Sequence, residues 1–254
     1  MSQFQSSIKL ITSVIILVVL AEVTNGALPS ILKLCSRNDP ELEKCMIDAV
    51  NYIRPNLANG DFGPDFEVPK LEPLYIEQIK IQRGQDLQAM FTNVDVHGTS
   101  KFKIERFKAD PSNISFDIVV TLPKLNFTGK YSLKMKLLLL SLQGKGDIKG
   151  VLTNTRGAIR VRGYTESVDG KDYVRFHRLG LRMKIENGSF QLDNLFNGDP
   201  VLGQIGNQVI NENSGLFIDE IIPGLEKNLS RIFTEIINNL LKTATLDEMF
   251  PASV

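Results

Sequence analysis

Tryptophan is absent from this 254-residue chain, and histidine and cysteine occur only twice each. So few nitrogen and sulfur ligands exclude a dedicated His/Cys metal centre. No charge of one sign prevails, since 29 Lys+Arg face 29 Asp+Glu. A protein that coats nucleic acid needs a basic surplus for phosphate contacts, and that class is excluded as well. No G-x-S-x-G motif signals a nucleophile elbow. His97 precedes Gly98 in a turn and His177 lies between Arg175 and Arg178; neither has metal-ligand spacing, and both read as surface residues. After the N-terminus no apolar run is long enough to span a bilayer. With 43% hydrophobic and 23% charged residues, disorder is excluded and a packed core is expected.

What is present begins with a leader. Lys9 precedes residues 10–21 (LITSVIILVVLA), in which only Thr12 and Ser13 are polar, and Thr24-Asn25-Gly26 follows. A basic start, an apolar stretch of about 7–15 residues and a small-residue exit describe a secretory signal peptide. A transmembrane anchor would need about 20 apolar residues, and Glu22 ends this run first. Residues 1–26 are therefore expected to be cleaved near Gly26/Ala27, leaving 27–254 as one secreted, extracellular domain. Four N-x-S/T sequons, at Asn113, Asn126, Asn187 and Asn228, are candidate glycosylation sites in that compartment.

Secretion changes the reading of the cysteines. In an oxidising compartment Cys35 and Cys45 suit a disulfide better than a redox pair or a catalytic thiol, and no histidine lies nearby to activate one. Between them Asp39-Pro40-Glu41 predicts a helix start, with Asp39 as N-cap and Pro40 at the first helical position. Leu42, Met46, Ala49, Val50 and Ile53 recur at helical spacing until Pro55.

From Tyr75 to about Leu195 the period is two. Ile79, Ile81, Leu87, Ala89 and Phe91 alternate with polar neighbours, and a parity shift to Val94 and Val96 predicts a bulge near Thr92-Asn93. Ile114, Phe116, Ile118, Val120 and Leu122 alternate again. Residues 125–139 then form the longest run, with Leu125, Phe127, Tyr131, Leu133, Met135, Leu137 and Leu139 on one parity and three lysines on the other. Further strands are expected at 148–152, 158–164, 173–185 and 190–192, separated by turns such as Asp169-Gly170 and Asn187-Gly188. Residues 144–150 (GKGDIKG) resemble a dinucleotide-binding loop but carry one residue too many before the last glycine. Lying between strands, they predict a hairpin turn. Connections this short cannot hold crossover helices, so the sheet is antiparallel.

One apolar face of such length must pack on something. Ile218, Ile221, Ile222, Leu225, Leu229, Ile232, Phe233, Ile236 and Leu240 fall within one arc of a helix, while Asp219, Glu226, Lys227, Ser230, Arg231, Thr234 and Asn238 occupy the other side. Pro223-Gly224 is expected on the polar side, kinking the helix. A shorter helical stretch covers 201–210. The fold class is α+β.

These residues together resemble the insect takeout and haemolymph juvenile-hormone-binding protein family. The resemblance begins at Leu28-Pro29 and LCSRNDPELEKC, which runs from Cys35 to Cys45. It continues through Gly144-Lys145-Gly146, Phe196-Asn197-Gly198-Asp199, Asn207 and Asn211-Glu212-Asn213, and ends with Asp247-Glu248-Met249-Phe250-Pro251. Ser214-Gly215 departs from the pattern, since a bulky aromatic is expected there. The resemblance implies an elongated tubular domain, a long curved antiparallel sheet wrapped around the C-terminal helix, with an apolar tunnel holding a lipophilic ligand. Only the N-terminal cysteine pair is present, which places the chain with the takeout-like branch rather than the hormone binders.

The function so implied is that of a secreted carrier, in haemolymph or another extracellular fluid, of a terpenoid, fatty acid or other long-chain lipid. Juvenile hormone is one such terpenoid. Neither cofactor nor metal nor catalysis is expected, and no coiled-coil signal argues against a monomer. Candidate lining residues are Phe116, Ile118, Phe127, Tyr131, Leu137, Ile221, Leu225, Leu229 and Phe233, with Tyr131 offering a hydroxyl to a polar ligand head. The alternative is a secreted interaction or membrane-docking protein with a filled core and an exposed apolar patch at one tip.

Overall fold

The computed structural model describes residues 28–253, and the leader assigned to residues 1–26 lies outside them. The N-terminal arm is tied down by the Cys35–Cys45 disulfide. Asp39 does not cap a helix directly. Its carboxylate accepts from the Glu41 N–H at 2.8 Å and its carbonyl from the Leu42 N–H, forming a turn. Helix α1 (Leu42–Tyr52) follows that turn. Pro55 does not merely stop this helix: it sits in the first turn of α2 (Arg54–Asn59), where its missing N–H costs nothing.

Seven antiparallel strands build the body. They are β1 (Leu74–Arg83), β2 (Leu87–His97), β3 (Lys103–Asp110), β4 (Ser115–Leu137), β5 (Leu140–Val168), β6 (Lys171–Phe176) and β7 (Gly180–Leu192). Strands β4 and β5 form one hairpin in continuous register, from Leu137↔Leu140 to Ser115↔Arg162. At 23 and 29 residues they far exceed the usual length of about five or six. Shorter strands line both of its sides. On one, β2 (itself joined to β1) and β3 pair with successive stretches of β4; on the other, β7 and β6 pair with successive stretches of β5. The expected bulge is present: the β2–β4 register shifts between Thr92 and Asp95, with Asn93 at φ 51°.

Several sequence expectations need correction. The run 125–139 ends at Leu137, and Leu138-Leu139 form the hairpin tip, where Leu139 is 97% exposed. Residues 144–150 are not a turn but the interior of β5, and 148–152 and 158–164 belong to that same strand. The physical reason is close packing. A Cβ at Gly144 would meet the Tyr131 hydroxyl at 2.7 Å, one at Gly146 the Asp193 carbonyl at 2.4 Å, and one at Gly150 the Phe127 ring at 2.5 Å. Asn187-Gly188 likewise lies within β7, where Gly188 admits Ile218 and Phe190. Residues 173–185 are two strands, because the chain leaves β6 after Phe176 and resumes at Gly180.

Between Leu122↔Thr155 and Lys124↔Thr153, Pro123 and Asn154 (φ 52°) stand opposite each other without pairing. Pro123 has no N–H to give to the ladder. Across this point both strands exchange the parity that faces the core. Phe116 and Val161 are buried on one side; Leu125, Tyr131, Leu142 and Ile148 are buried on the other.

The chain then forms α3 (Pro200–Glu212), α4 (Ser214–Leu240) and α5 (Leu246–Met249). Asp199 caps α3 by accepting from the N–H groups of Val201 and Leu202. The long helix α4 continues through Pro223. Gly224 is not on a solvent-facing side; a Cβ there would strike Ile81 of β1 at 2.5 Å.

Candidate functional site

The apolar stripe of α4 and the inner face of the sheet enclose two apolar clusters. The larger gathers Ile79, Ile81, Phe91, Tyr131, Leu133, Leu142, Phe217, Ile218 and Ile221 with their neighbours. The smaller gathers Phe107, Phe116, Val161, Val174, Phe176 and Phe250. Phe233 packs against both, so the apolar interior continues from one to the other along the helix.

All nine predicted lining residues reach this interior. Phe127, Tyr131, Leu137, Ile221, Leu225 and Leu229 belong to or pack on the larger cluster, and Phe116 and Ile118 on the smaller. Ile118 also borders a groove of about 640 Å³, whose lining includes Arg106, Lys108, Arg160 and Arg182. The Tyr131 hydroxyl already donates to the Asp193 carbonyl at 2.7 Å, and burial pushes its pKa up to about 12. Its proton therefore serves the fold, contrary to the expectation that it reads a ligand head. Phe217, completely buried and edge-on to Phe190 at 4.8 Å, was not among the sequence candidates.

The polar side of the helices reads differently in three dimensions. Asn207 and Asn211 on α3, and Glu226, Ser230, Thr234 and Asn238 on α4, are spaced four apart. They bond to the backbone of β7, β6 and the link between them. The side chain of Asn207 accepts from the Leu192 N–H and donates to the Leu192 carbonyl, each at 2.8 Å. Asn211 does the same for Phe190, and Asn238 for Phe176. The Glu226 carboxylate accepts from the Met183 N–H at 2.8 Å and from Arg182 at 2.6 Å. Ser230 donates to the Leu179 carbonyl, and Thr234 accepts from the Leu179 N–H. Glu226 and Ser230, expected on the solvent side, are thus 7% and 5% exposed. The reason is that a sheet edge presents unpaired N–H and C=O groups, which must find partners when the edge is covered. On the opposite edge Asn228 donates to the Lys80 carbonyl of β1 at 3.1 Å. The helix therefore bridges both edges of the curled sheet.

The first and last described segments meet at the smaller cluster. Arg37, beside the disulfide, donates to the Phe250 carbonyl at 2.7 Å and pairs with Asp247, while Phe250 stacks on Phe116 at 5.6 Å. Of the sequons, Asn113, Asn126 and Asn187 are exposed, whereas the Asn228 amide holds Lys80 and Gly224 carbonyls. Among the described residues no three His, Cys, Asp or Glu side chains converge as a metal site, and no helix is long and apolar enough to cross a membrane.

Comparison with known proteins agrees with this geometry. The sequence model of the haemolymph juvenile hormone binding protein family matches residues 13–251. The chain is 24% identical over 233 residues to the circadian clock-controlled protein daywake of Drosophila melanogaster, covering 87% of this chain and 88% of that protein. It is 23% identical over 235 residues to daywake of Drosophila yakuba, covering 88% of each. The crystal structure of Epiphyas postvittana Takeout 1 superposes with a TM-score of 0.72 at 24% identity, over 86% of this chain and 99% of that one. That superposition shows the fold, a curved antiparallel sheet with few helices.

Proposed function

Because the chain belongs to the haemolymph juvenile hormone binding protein family, we propose that it is a secreted, monomeric carrier of a hydrophobic small molecule. The ligand class is a terpenoid, fatty acid or other long-chain lipid, held in an apolar tunnel between the sheet and α4. The observation that carries this reading is the interior itself: two apolar clusters joined through Phe233, enclosed by a sheet whose edges are sealed to the helix. Binding is driven by burial of apolar surface, at about 25 cal/mol per Å². Catalysis has no part in it, since the enclosed side chains are mostly hydrocarbon and the buried Glu226 and Ser230 bond to the fold. Glycans occupy the exposed Asn113, Asn126 and Asn187, and Asn228 stays bare because it is only half-exposed where the helix meets β1. Residues 1–26 direct export as the leader, and 27–254 act as one domain.

Mass spectrometry of an organic extract of the native protein, with displacement of a fluorescent lipid, tests the proposal. A recovered lipid and saturable displacement are expected; repeated failure of both sinks it. A second reading, a docking protein with a filled core, draws on the exposed Leu138 and Leu139 at the hairpin tip and on Val201, Leu202 and Ile205 of α3. It predicts no extractable lipid, and vesicle binding that is lost on changing Leu139→Ser.

A further inference from the structure

The groove beside Ile118 differs from the rest of this charge-balanced chain. Its lining holds six cationic side chains and two carboxylates, although Lys+Arg and Asp+Glu are equal over the whole sequence. The strand registers set most of these groups in two rows across β3, β4, β5 and β7. One row reads Arg106, Val119, Ala158 and Arg182, and the next reads Lys108, Asp117, Arg160 and Gly180. Both rows have the parity opposite to Phe107, Ile118 and Ile159, which belong to or pack on the smaller apolar cluster. They therefore turn away from the interior, and the groove is separate from the proposed lipid tunnel.

Both carboxylates are already neutralised. Asp117 pairs with Arg160 at 3.3 Å and with Arg162 at 3.2 Å, and Glu226 pairs with Arg182 at 2.6 Å. Arg178 donates to the Ser230 hydroxyl and the Lys227 carbonyl. The side chains of Arg106, Lys108 and Lys227 make no hydrogen bond or ion pair among the described residues. Arg106 and Lys108 stand at the β3 side and Lys227 on α4, with Val119, Ala158 and Gly180 as a floor of short side chains between them. A cleft lined by one sign of charge concentrates counter-ions. From β3 to β7 there are three strand spacings, about 14 Å, so a single sulfate or phosphate ion reaches one wall only.

The lining also narrows the kind of polyanion. No aromatic side chain is among it, so nucleic-acid bases find no stacking platform. None of the exposed large apolar side chains lies there, so a bilayer meets no anchor to bury. The floor is a sheet face whose N–H and C=O groups are engaged in the ladder, which leaves a peptide backbone without partners. A volume of about 640 Å³ suits a few sugar rings. We propose that this groove is a second binding site, one that takes a stretch of sulfated polysaccharide. Its sulfate esters reach Arg106 and Lys108 on one side and Arg182 and Lys227 on the other, where guanidinium groups suit their geometry.

The test titrates a heparin octasaccharide into the full mature protein by calorimetry at physiological ionic strength. Saturable binding is expected, and Arg106→Gln together with Lys108→Gln is expected to weaken it about tenfold. The same loss of charge elsewhere, Lys134→Gln together with Lys136→Gln on the exposed parity of β4, is expected to leave affinity unchanged. Both double variants keep the natural melting temperature, because these four side chains are exposed and bond to nothing in the fold among the described residues. Inorganic sulfate is expected to compete only weakly, since it spans no more than one wall. Absence of saturable binding overturns the proposal, as does an equal loss in both double variants. Competition by sulfate as effective as that of the octasaccharide also overturns it. Tighter binding to phosphatidylserine vesicles or to a DNA duplex, lost in the first double variant, would give the groove to those partners and overturn the polysaccharide assignment. Displacement of a fluorescent lipid is expected to be unchanged in both variants, so failure here leaves the carrier reading standing.

Discussion

Tyr131 shows how one side chain is removed from ligand chemistry by its surroundings. Its ring is 2% exposed and its hydroxyl meets the Asp193 carbonyl in the space that Gly144 leaves open. Tyr131→Phe is expected to cost about 1 kcal/mol in urea denaturation and to leave lipid displacement intact. The pKa of about 12 in the folded state lies above the ordinary tyrosine value of 10.0. The neutral form is thus the one that folding favours. The stability it contributes is fully present below about pH 10 and is lost as pH rises towards about 12. In an ultraviolet absorbance titration, Tyr131 is expected to ionise above the ordinary tyrosine range, with unfolding rather than before it. At the same scale, Gly150→Val would drive its Cβ into the Phe127 ring. A loss of about 1–3 kcal/mol follows, measured as a lower urea midpoint, whereas a glycine in a hairpin turn would give no such clash.

At the scale of elements, the helices act as a neighbouring strand for the edge formed by β6 and β7. Each asparagine of the ladder satisfies one backbone donor and one acceptor, as a paired strand would. Asn211→Ala therefore leaves the Phe190 N–H and C=O unpaired in a covered edge, at a cost of about 1–3 kcal/mol. Hydrogen exchange at the Phe190 amide is expected to accelerate with it, while amides at the β4–β5 hairpin keep their protection. Equal acceleration throughout would mean that the edge and the hairpin open as one unit. The four-residue spacing from Glu226 to Asn238 is plain in the sequence, but spacing alone is common to a solvated face and to a face docked on a strand edge. Periodicity reports hydrophobic contrast. Whether a polar stripe meets water or unpaired backbone depends on where the sheet ends, which no local pattern encodes.

At the scale of the whole molecule, segments far apart in sequence hold one another in place. The disulfide closes a loop of sequence separation 10 and presents Arg37 to the Phe250 carbonyl and Asp247 at the other end of the chain. Replacing both cysteines by serine is expected to destabilise the domain by about 3 kcal/mol on loop entropy alone. Calorimetry would register it as a fall in melting temperature, and protease sensitivity should appear first at both termini. Phe233→Ala removes the ring shared by the two clusters. It is expected to cost about 3 kcal/mol, the lower end for a phenylalanine truncation because the residue is only half-buried, and to weaken displacement of long ligands more than short ones.

The sequence by itself determined the kinds of element and much of their apolar faces: the bulge at Asn93, the two parities of β4 and the stripe of α4 all follow from side-chain period. These are local properties, since a strand or helix shows its buried face to any partner. The tertiary structure alone decided the length of the central hairpin, because Gly144, Gly146, Gly150 and Gly188 read as turns until Tyr131, Asp193, Phe127 and Ile218 arrive to fill the space beside them. It also decided that Glu226 and Ser230 are buried. Those facts are contacts between residues far apart in sequence, fixed only when the sheet curls and the helix closes its two edges.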